Sequence, residues 1–182
     1  MKRHRYLGID IGGTRSAALV ADAEGGILGR EEFPTRVGSG GWKTTVDELQ
    51  RASAALVREH PVEAIGISCG GPLDSVAGTI LSPPNLPGWD EVPIARIFHE
   101  AFGVPAYLQN DANAGALAEW RFGAGRGSRN MVFLTFGTGL GAGLIHRRPQ
   151  PGADRGGEHG RAARVEGEAA RRARASETER EA

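Results

Sequence analysis

The chain of 182 residues has a single cysteine, few aromatic side chains and no long apolar run. Its one cysteine, Cys69, excludes an internal disulfide and a zinc site built from cysteines. No apolar stretch approaches the ~20 residues that a membrane-spanning helix needs. The 22 basic side chains are matched by 22 acidic ones, so charge gives no reason to expect nucleic acid or an anionic membrane as a partner. Because the first residues lead into a strand-like run and not into an apolar signal segment, we expect a cytoplasmic protein.

The composition changes near residue 146. The 182 residues, 40% of them apolar, are enough for one ordinary domain core, but the chain is too short for two large lobes. In residues 146–182, Val165 is the only large aliphatic or aromatic side chain, and nine arginines accompany seven acidic residues. Such a segment buries too little apolar surface to offset its ordering entropy, so we expect a mostly disordered tail with at most a solvated helix over 165–181. Its interspersed glutamates argue against a basic arm that binds nucleic acid.

The first 145 residues have the pattern of an α/β domain. Short apolar runs closed by glycine or aspartate predict strands, and apolar residues at helical spacing predict amphipathic helices. The predicted strands cover 6–10, 16–21, 27–33, 64–68, 104–108, 131–136 and 142–145. The predicted helices cover 42–60, 94–102 and 112–122, and a long loop rich in proline and glycine covers 72–93. This order predicts a mixed sheet with helices packed against it.

Two glycine-rich turns, each between two predicted strands, suit phosphate binding. In the first turn Asp10 is followed by Gly12, Gly13 and Thr14. Glycines let the backbone approach phosphate oxygens and present N–H groups to them, and Asp10 could hold a hydrated magnesium ion. The second turn has a similar composition, with Gly137, Thr138 and Gly139. Either turn alone could be a tight hairpin, but two at opposite ends of the body would suit a clamped nucleoside triphosphate.

Asn110 and Asp111 stand where a predicted strand gives way to a helix. An Asx residue there commonly caps the helix and stabilises it by about 1 kcal/mol. A carboxylate at a sheet edge can also act as a general base that accepts a proton from a substrate hydroxyl, with Asn110 bonding a neighbouring hydroxyl. In the proline-rich loop, Asn85 could meet a polar ligand, whereas Trp89 is better explained as a packing anchor.

Five segments in this order and spacing resemble the ROK family of bacterial sugar kinases and sugar-responsive repressors, most closely its glucokinase-like members. They are Leu-Gly-Ile-Asp-Ile-Gly-Gly-Thr (7–14), Ile-Gly-Ile-Ser-Cys-Gly-Gly-Pro-Leu-Asp (65–74), Asn-Leu-Pro-Gly-Trp (85–89), Asn-Asp-Ala-Asn-Ala (110–114) with Glu119 and Trp120, and Gly-Thr-Gly-Leu-Gly-Ala-Gly (137–143). Each segment is weakly specific by itself, but five in order are specific. The resemblance covers about residues 5–145.

The resemblance implies an actin/hexokinase-like (ribonuclease H-like) fold, with two lobes around a cleft. Residues 1–110 would form the N-terminal lobe and residues 111–145 the start of the second lobe. The implied activity is ATP-dependent phosphorylation of a hexose hydroxyl, as in the conversion of glucose to glucose 6-phosphate. Asp111 would be the catalytic base, Asp10 would bind magnesium through water, and both glycine turns would line the phosphates of ATP. The residues facing the sugar would be Gly71, Asn85, Asn110 and Asp111.

Beyond residue 145 the resemblance is lost. The family continues with a Gly-Glu-x-Gly-His segment that binds the sugar and with a cysteine-rich zinc loop. In this chain only a partial match to that segment follows, at Glu158 and His159. Because Cys69 is the single cysteine, we expect the structural zinc site of the family to be absent. We expect a C-terminally truncated or frameshifted chain, because codons for a family-like Ile-Asp-Gly-Arg turn, shifted by one base, encode His-Arg-Arg-Pro, the sequence of 146–149. The gene sequence tests this hypothesis.

Three functions therefore stay open. The first is a sugar kinase whose activity is impaired in so short a chain, and the second is a non-catalytic sugar-binding or regulatory fragment. The third is a sugar-responsive repressor without its DNA-binding domain, since the kinase-like strand begins near residue 6 and leaves no room for a helix-turn-helix. The expected partners are a hexose and ATP, without nucleic acid or membrane. The sequence leaves the sugar and the oligomeric state open.

Overall fold

The computed structural model describes residues 4–136 and 140–146 and the backbone of residues 164–165. The chain divides into two compact units, Met1–Asp111 and Ala112–Ala182. In chain order, the strands are β1 (Arg5–Ile11), β2 (Arg15–Asp22), β3 (Ile27–Pro34), β4 (Ala64–Cys69), β5 (Leu73–Asp74), β6 (Thr79–Ile80), β7 (Ala106–Asn110), β8 (Asn130–Phe136), β9 (Leu140–His146) and β10 (Arg164–Val165). The helices are α1 (Gly41–Glu59), α2 (Ile94–Phe102) and α3 (Asp111–Phe122).

The first unit is built on a five-stranded sheet with the order β3-β2-β1-β4-β7. Strands β1, β2 and β3 pair antiparallel, whereas β1, β4 and β7 run parallel. The parallel strands are joined through α1 and α2, as parallel neighbours require a crossover connection. This mixed sheet with helices confirms the predicted fold class.

The core of the first unit lies on one face of this sheet. Leu7, Ile9 and Ile11 alternate along β1 and are at most 2% exposed. They join buried side chains of both helices in a single cluster, which includes Val46, Leu49, Ile94 and Phe98. Because successive strand residues point to opposite faces, Asp10 lies on the other face, away from this apolar cluster.

The prediction of a single long loop over 72–93 is wrong in part, because some of these residues form strands. Strands β5 and β6 form a hairpin, and Ile80 bridges to Val92 beyond it. The carboxylate of Asp74 accepts the backbone N–H groups of Val76 and Ala77 at 2.8 and 2.9 Å, which stabilises the turn. Ile80 is fully buried, so the hairpin is fastened to the core. Strands of two residues are too short to give a periodic pattern that sequence reasoning could detect.

The second unit contains most of α3 and an antiparallel sheet of order β10-β9-β8. A Cβ placed on Gly143 would lie 2.4 Å from the carbonyl oxygen of Ala112, so β9 approaches α3 closely. The side chains of β8 alternate, with Val132, Leu134 and Phe136 on the exposed side. The sequence pattern does not predict β10, which pairs with β9. The rest of the predicted tail lies outside the described residues, and no helix among the described ones is long and apolar enough to cross a membrane.

Candidate active site

The carboxyl ends of β1, β4 and β7 meet at one edge of the sheet in the first unit. In register, Asp10 lies beside Ser68, and Ser68 lies beside Gln109. One step further along the strands, Cys69 lies beside Asn110, and the chain then turns into α3 at Asp111. Parallel pairing thus brings Asp10 and the Asn110–Asp111 pair, which are about a hundred residues apart in sequence, to the same edge.

Asp10 is the carboxylate whose electrostatics this edge changes most clearly. Burial among neighbouring atoms raises its pKa above the ordinary value, although part of the side chain still reaches solvent. The negative charge of Asp111 raises the pKa further, while a hydrogen bond from the Ser68 hydroxyl opposes both effects. The two carboxylates are therefore close enough to repel each other, which is the arrangement in which a bound cation is favourable.

The segment that follows β4 borders the Asn110–Asp111 pair. A Cβ added at Gly70 would lie 3.9 Å from Asp111 Oδ2, and one added at Gly71 would lie 3.8 Å from Asn110 Nδ2. The predicted sugar-facing residues Gly71, Asn110 and Asp111 are thus brought together. The absence of side chains at 70 and 71 leaves space beside the carboxylate that could act as a base.

The predicted phosphate-binding turn lies between β1 and β2. It is closed by a hydrogen bond from Gly12 N–H to Arg15 O at 3.1 Å. Within the part of the chain that the structure describes, the backbone N–H groups of Gly13 and Thr14 donate to no protein acceptor. A Cβ on Gly13 would lie 2.7 Å from Asn85 O, so only glycine fits between the turn and the loop that carries Asn85.

That loop, residues 82–91, is held by Trp89. The indole is fully buried, and its Nε1–H donates to Arg36 O at 3.3 Å. The prediction that Trp89 is a packing anchor is confirmed. Ser82 and Glu91 at the ends of the loop have positive φ angles of 48° and 50°, which non-glycine residues seldom adopt, so the loop is closed at some cost in backbone strain.

Magnesium fits the donor chemistry at this edge. Asp10, with Asp111 nearby and the Ser68 hydroxyl bonded to it, offers hard oxygen atoms and leaves coordination positions for water and phosphate. Among the described residues, no group of three or more His, Cys, Asp or Glu side chains could hold a metal by itself. A cation here would therefore be held mainly through water and the ligand, as the sequence predicts for Asp10.

Other predicted residues lie outside the described part of the chain. These are Gly137, Thr138 and Gly139 of the second glycine turn, together with Glu158 and His159. The structure also adds Ser68 to the candidate site, a residue that the sequence pattern does not indicate. Its position in β4 beside the conspicuous Asp10 of β1 would identify it only once the parallel register is known.

Comparison with known proteins places these features in a family. The sequence profile of the ROK family matches residues 6–165. A glucokinase of Streptomyces coelicolor is 38% identical over 143 residues, which are 76% of this chain and 43% of that protein. A xylose repressor of Caldicellulosiruptor bescii is 32% identical over 143 residues and is covered over 36% of its length.

Two solved structures share the fold. The ROK family glucokinase from Streptomyces griseus, in complex with glucose and AMPPNP, is 39% identical with a TM-score of 0.69, covering 78% of this chain and 44% of that one. The ROK hexokinase from Thermus thermophilus is 41% identical with a TM-score of 0.68, covering 78% and 47%. The chain thus spans less than half the length of these relatives, and its fold is part of the actin/hexokinase-like fold they have. With the profile match and these identities together, the chain belongs to the ROK family.

Proposed function

We propose that this chain carries the sugar-kinase site of its family, which transfers the γ-phosphoryl group of ATP to a hydroxyl of a hexose, with glucose as the first candidate. The observation that carries the proposal is the convergence at one sheet edge of Asp10, Asp111 and the turn that contains Gly12, Gly13 and Thr14. The complex of the Streptomyces griseus relative with glucose and AMPPNP supports this pair of ligands.

On the phosphate side, the first glycine turn would bind the nucleotide. The backbone N–H groups of Gly13 and Thr14 donate to nothing in the described protein and would donate to phosphate oxygens. Magnesium, when bound, would neutralise phosphate charge beside Asp10 and offset the repulsion between Asp10 and Asp111. Gly137, Thr138 and Gly139 would contact the phosphates from the other side, a role that rests on the resemblance alone.

On the sugar side, Asp111 would be the general base. It would accept the proton of the attacking hydroxyl as the sugar oxygen forms its bond to the γ-phosphorus and the bond to the ADP oxygen breaks. Asn110 and Asn85 would hold neighbouring hydroxyls, and the glycine at 71 would leave room for the ring. Phosphoryl transfer depends mainly on positioning and charge stabilisation, and this edge supplies groups for both.

Release of ADP in the presence of a panel of hexoses tests the proposal. We expect slow turnover that requires both a hexose and magnesium, and we expect Asp111→Asn to reduce kcat by about 10²- to 10⁴-fold because the base is lost. Glu59→Gln, which removes an exposed carboxylate of α1, is the matched control. ADP release that ignores the sugar, or that survives Asp111→Asn, would contradict the proposal.

A non-catalytic sugar-binding role is the second candidate. The chain is also similar to a xylose repressor, and it spans less than half of the kinases it matches. Calorimetric titration with glucose and MgATP separately distinguishes the two. Saturable binding of glucose without any hexose-dependent release of ADP would favour the non-catalytic role over the kinase.

A further inference from the structure

Thr35, the residue after β3, bonds to the phosphate turn at two points. Its backbone N–H donates to Thr14 O at 2.9 Å. Its hydroxyl donates to Gly12 O at 2.7 Å. Thr35 therefore bonds the carbonyl oxygens of Gly12 and Thr14, the two residues that flank Gly13. It belongs to none of the motifs that carry the family resemblance.

A third hydrogen bond fixes the direction of the Thr35 hydroxyl. Ser16 Oγ lies 2.8 Å from Thr35 Oγ1, and Ser16 is only 1% exposed. A hydroxyl has one proton, and that of Thr35 goes to Gly12 O, so Ser16 must be the donor in the second bond. The relay from Ser16 through Thr35 to Gly12 O consequently runs in a single direction.

Because the peptide group is planar, this chain of hydrogen bonds also fixes the direction of the Gly13 N–H. In a planar trans peptide the C=O and the following N–H point in opposite directions. Because Gly12 O is held towards Thr35, the N–H of Gly13 points away from Thr35. On its other flank Gly13 lies against the backbone of Asn85, where a Cβ would be 2.7 Å from Asn85 O. The Gly12–Gly13 peptide thus has little freedom to rotate.

We propose that Thr35 is a positioning residue, which holds the Gly13 N–H ready to donate to a phosphate oxygen of a nucleoside triphosphate. The inference rests on the proposed function, because it presumes that this turn binds the nucleotide. Thr35 itself touches no reacting atom. Its hydroxyl acts through the peptide that it orients.

The test compares three variants of the full chain by calorimetric titration with MgATP. Thr35→Val keeps the shape and the backbone N–H but loses the hydroxyl, and we expect it to raise the Kd by about 3- to 10-fold, the equivalent of one hydrogen bond. Thr35→Ser restores the hydroxyl and is expected to restore affinity. Thr79→Val removes a hydroxyl that bonds Ala77 O at 3.5 Å in the hairpin of β5 and β6, and it serves as the matched control.

A second measurement needs no ligand. In ¹⁵N–¹H spectra of the free chain, we expect Thr35→Val, but not Thr35→Ser, to shift the Gly13 amide signal. If Thr35→Val does not fold, Ser16→Ala replaces it and should change the same signal in the same direction.

The outcomes separate the two proposals. If the parent chain binds MgATP and Thr35→Val binds it equally tightly, the positioning role is wrong while the proposed function stands. If Thr35→Ser is as weak as Thr35→Val, the hydroxyl is not the cause and the positioning role is again wrong. If the parent does not bind MgATP at all, both proposals fail.

Discussion

At the scale of single residues, Asp10 connects the fold of this chain to its chemistry. It occupies the one position of β1 that combines a carboxylate with the end of a parallel strand, and it faces away from the apolar core. Burial and the charge of Asp111 both raise its pKa. The ionised form of Asp10 is thus destabilised, and a bound cation would offset this. Such destabilised carboxylates are typical of functional sites.

Because the ionised form of Asp10 is destabilised in the folded chain, we predict that Asp10→Asn stabilises the fold. A raised folded-state pKa means that the folded chain binds the proton more tightly than the unfolded chain. The contribution to stability is therefore present below the ordinary pKa of 3.8 and is lost as the pH rises through the raised value. Thermal unfolding should give a higher Tm for Asp10→Asn at neutral pH, and the gain should shrink as the pH falls towards 3.8.

Glu59→Gln, which also removes one negative charge but from the exposed surface of α1, is the control for this comparison. A Tm for Asp10→Asn below that of the parent at neutral pH would contradict the electrostatic account. A gain that does not depend on pH would contradict it as well.

Cys69 gives a second prediction at this scale. The thiol is fully buried at the end of β4, and burial, with smaller effects of Asp111 and Asp10, raises its pKa to about 12. At about pH 8 almost no thiolate forms in the folded chain, so iodoacetamide should leave it unmodified. Mass spectrometry should detect full modification only in guanidinium chloride. Equal rates of modification in the folded and unfolded chains would show that Cys69 is not protected.

At the scale of elements, three loops contact each other: the turn after β1, the segment after β3 and the 82–91 loop. The segment after β3 bonds the first glycine turn through Thr35 and bonds the 82–91 loop through Arg36 O and Gly38 N–H. The loop in turn presses Asn85 against Gly13. The predicted phosphate-binding and sugar-binding segments are therefore in direct contact, which would keep donor and acceptor groups in a fixed relation.

The contact between two of these loops predicts different costs for two glycine substitutions. Gly88 and Gly103 both have positive φ, of 83° and 68°. A Cβ at Gly88 would lie 2.4 Å from Gly38 O, whereas a Cβ at Gly103 would meet nothing within 4 Å. Gly103→Ala should cost only the left-handed backbone penalty of about 1–2 kcal/mol, and Gly88→Ala should cost clearly more.

Urea unfolding measures both changes in the free energy of unfolding. Gly103→Ala is the matched control, because it introduces the same side chain at a similar φ without the clash. Equal destabilisation by the two substitutions would mean that residues 38 and 88 can move apart at no cost, which would contradict the predicted clash.

The elements also show how far sequence reasoning reaches. The alternation of Leu7, Ile9 and Ile11 and the apolar spacing of α1 come from local patterns, so those elements are predictable to within a residue or two. Strands β5 and β6 are not, because their stability depends on a burial partner and a turn that no periodicity records. For the same reason, Thr35 and the contact between Gly13 and Asn85 emerge only from the path that the loops take in space.

At the scale of the whole molecule, the chain is two compact units that together span less than half of the kinases they match. The family match reaches residue 165, beyond the change in composition near residue 146. The frameshift hypothesis for the tail stays a prediction that the gene sequence tests. The proposed kinase site accordingly lies in the first unit, whose sheet edge holds Asp10, Asn110 and Asp111 together.

The most direct test of this account is a ¹⁵N–¹H titration of the full chain with MgATP and, separately, with glucose. We predict saturable shifts of the Gly12, Gly13 and Thr14 amides with MgATP, and of the Asn85 and Asn110 signals with glucose. The exposed surface of α1 should not respond to either ligand. Saturable binding that leaves all these signals unmoved, or no binding of either ligand, would contradict the assignment of this sheet edge as the kinase site.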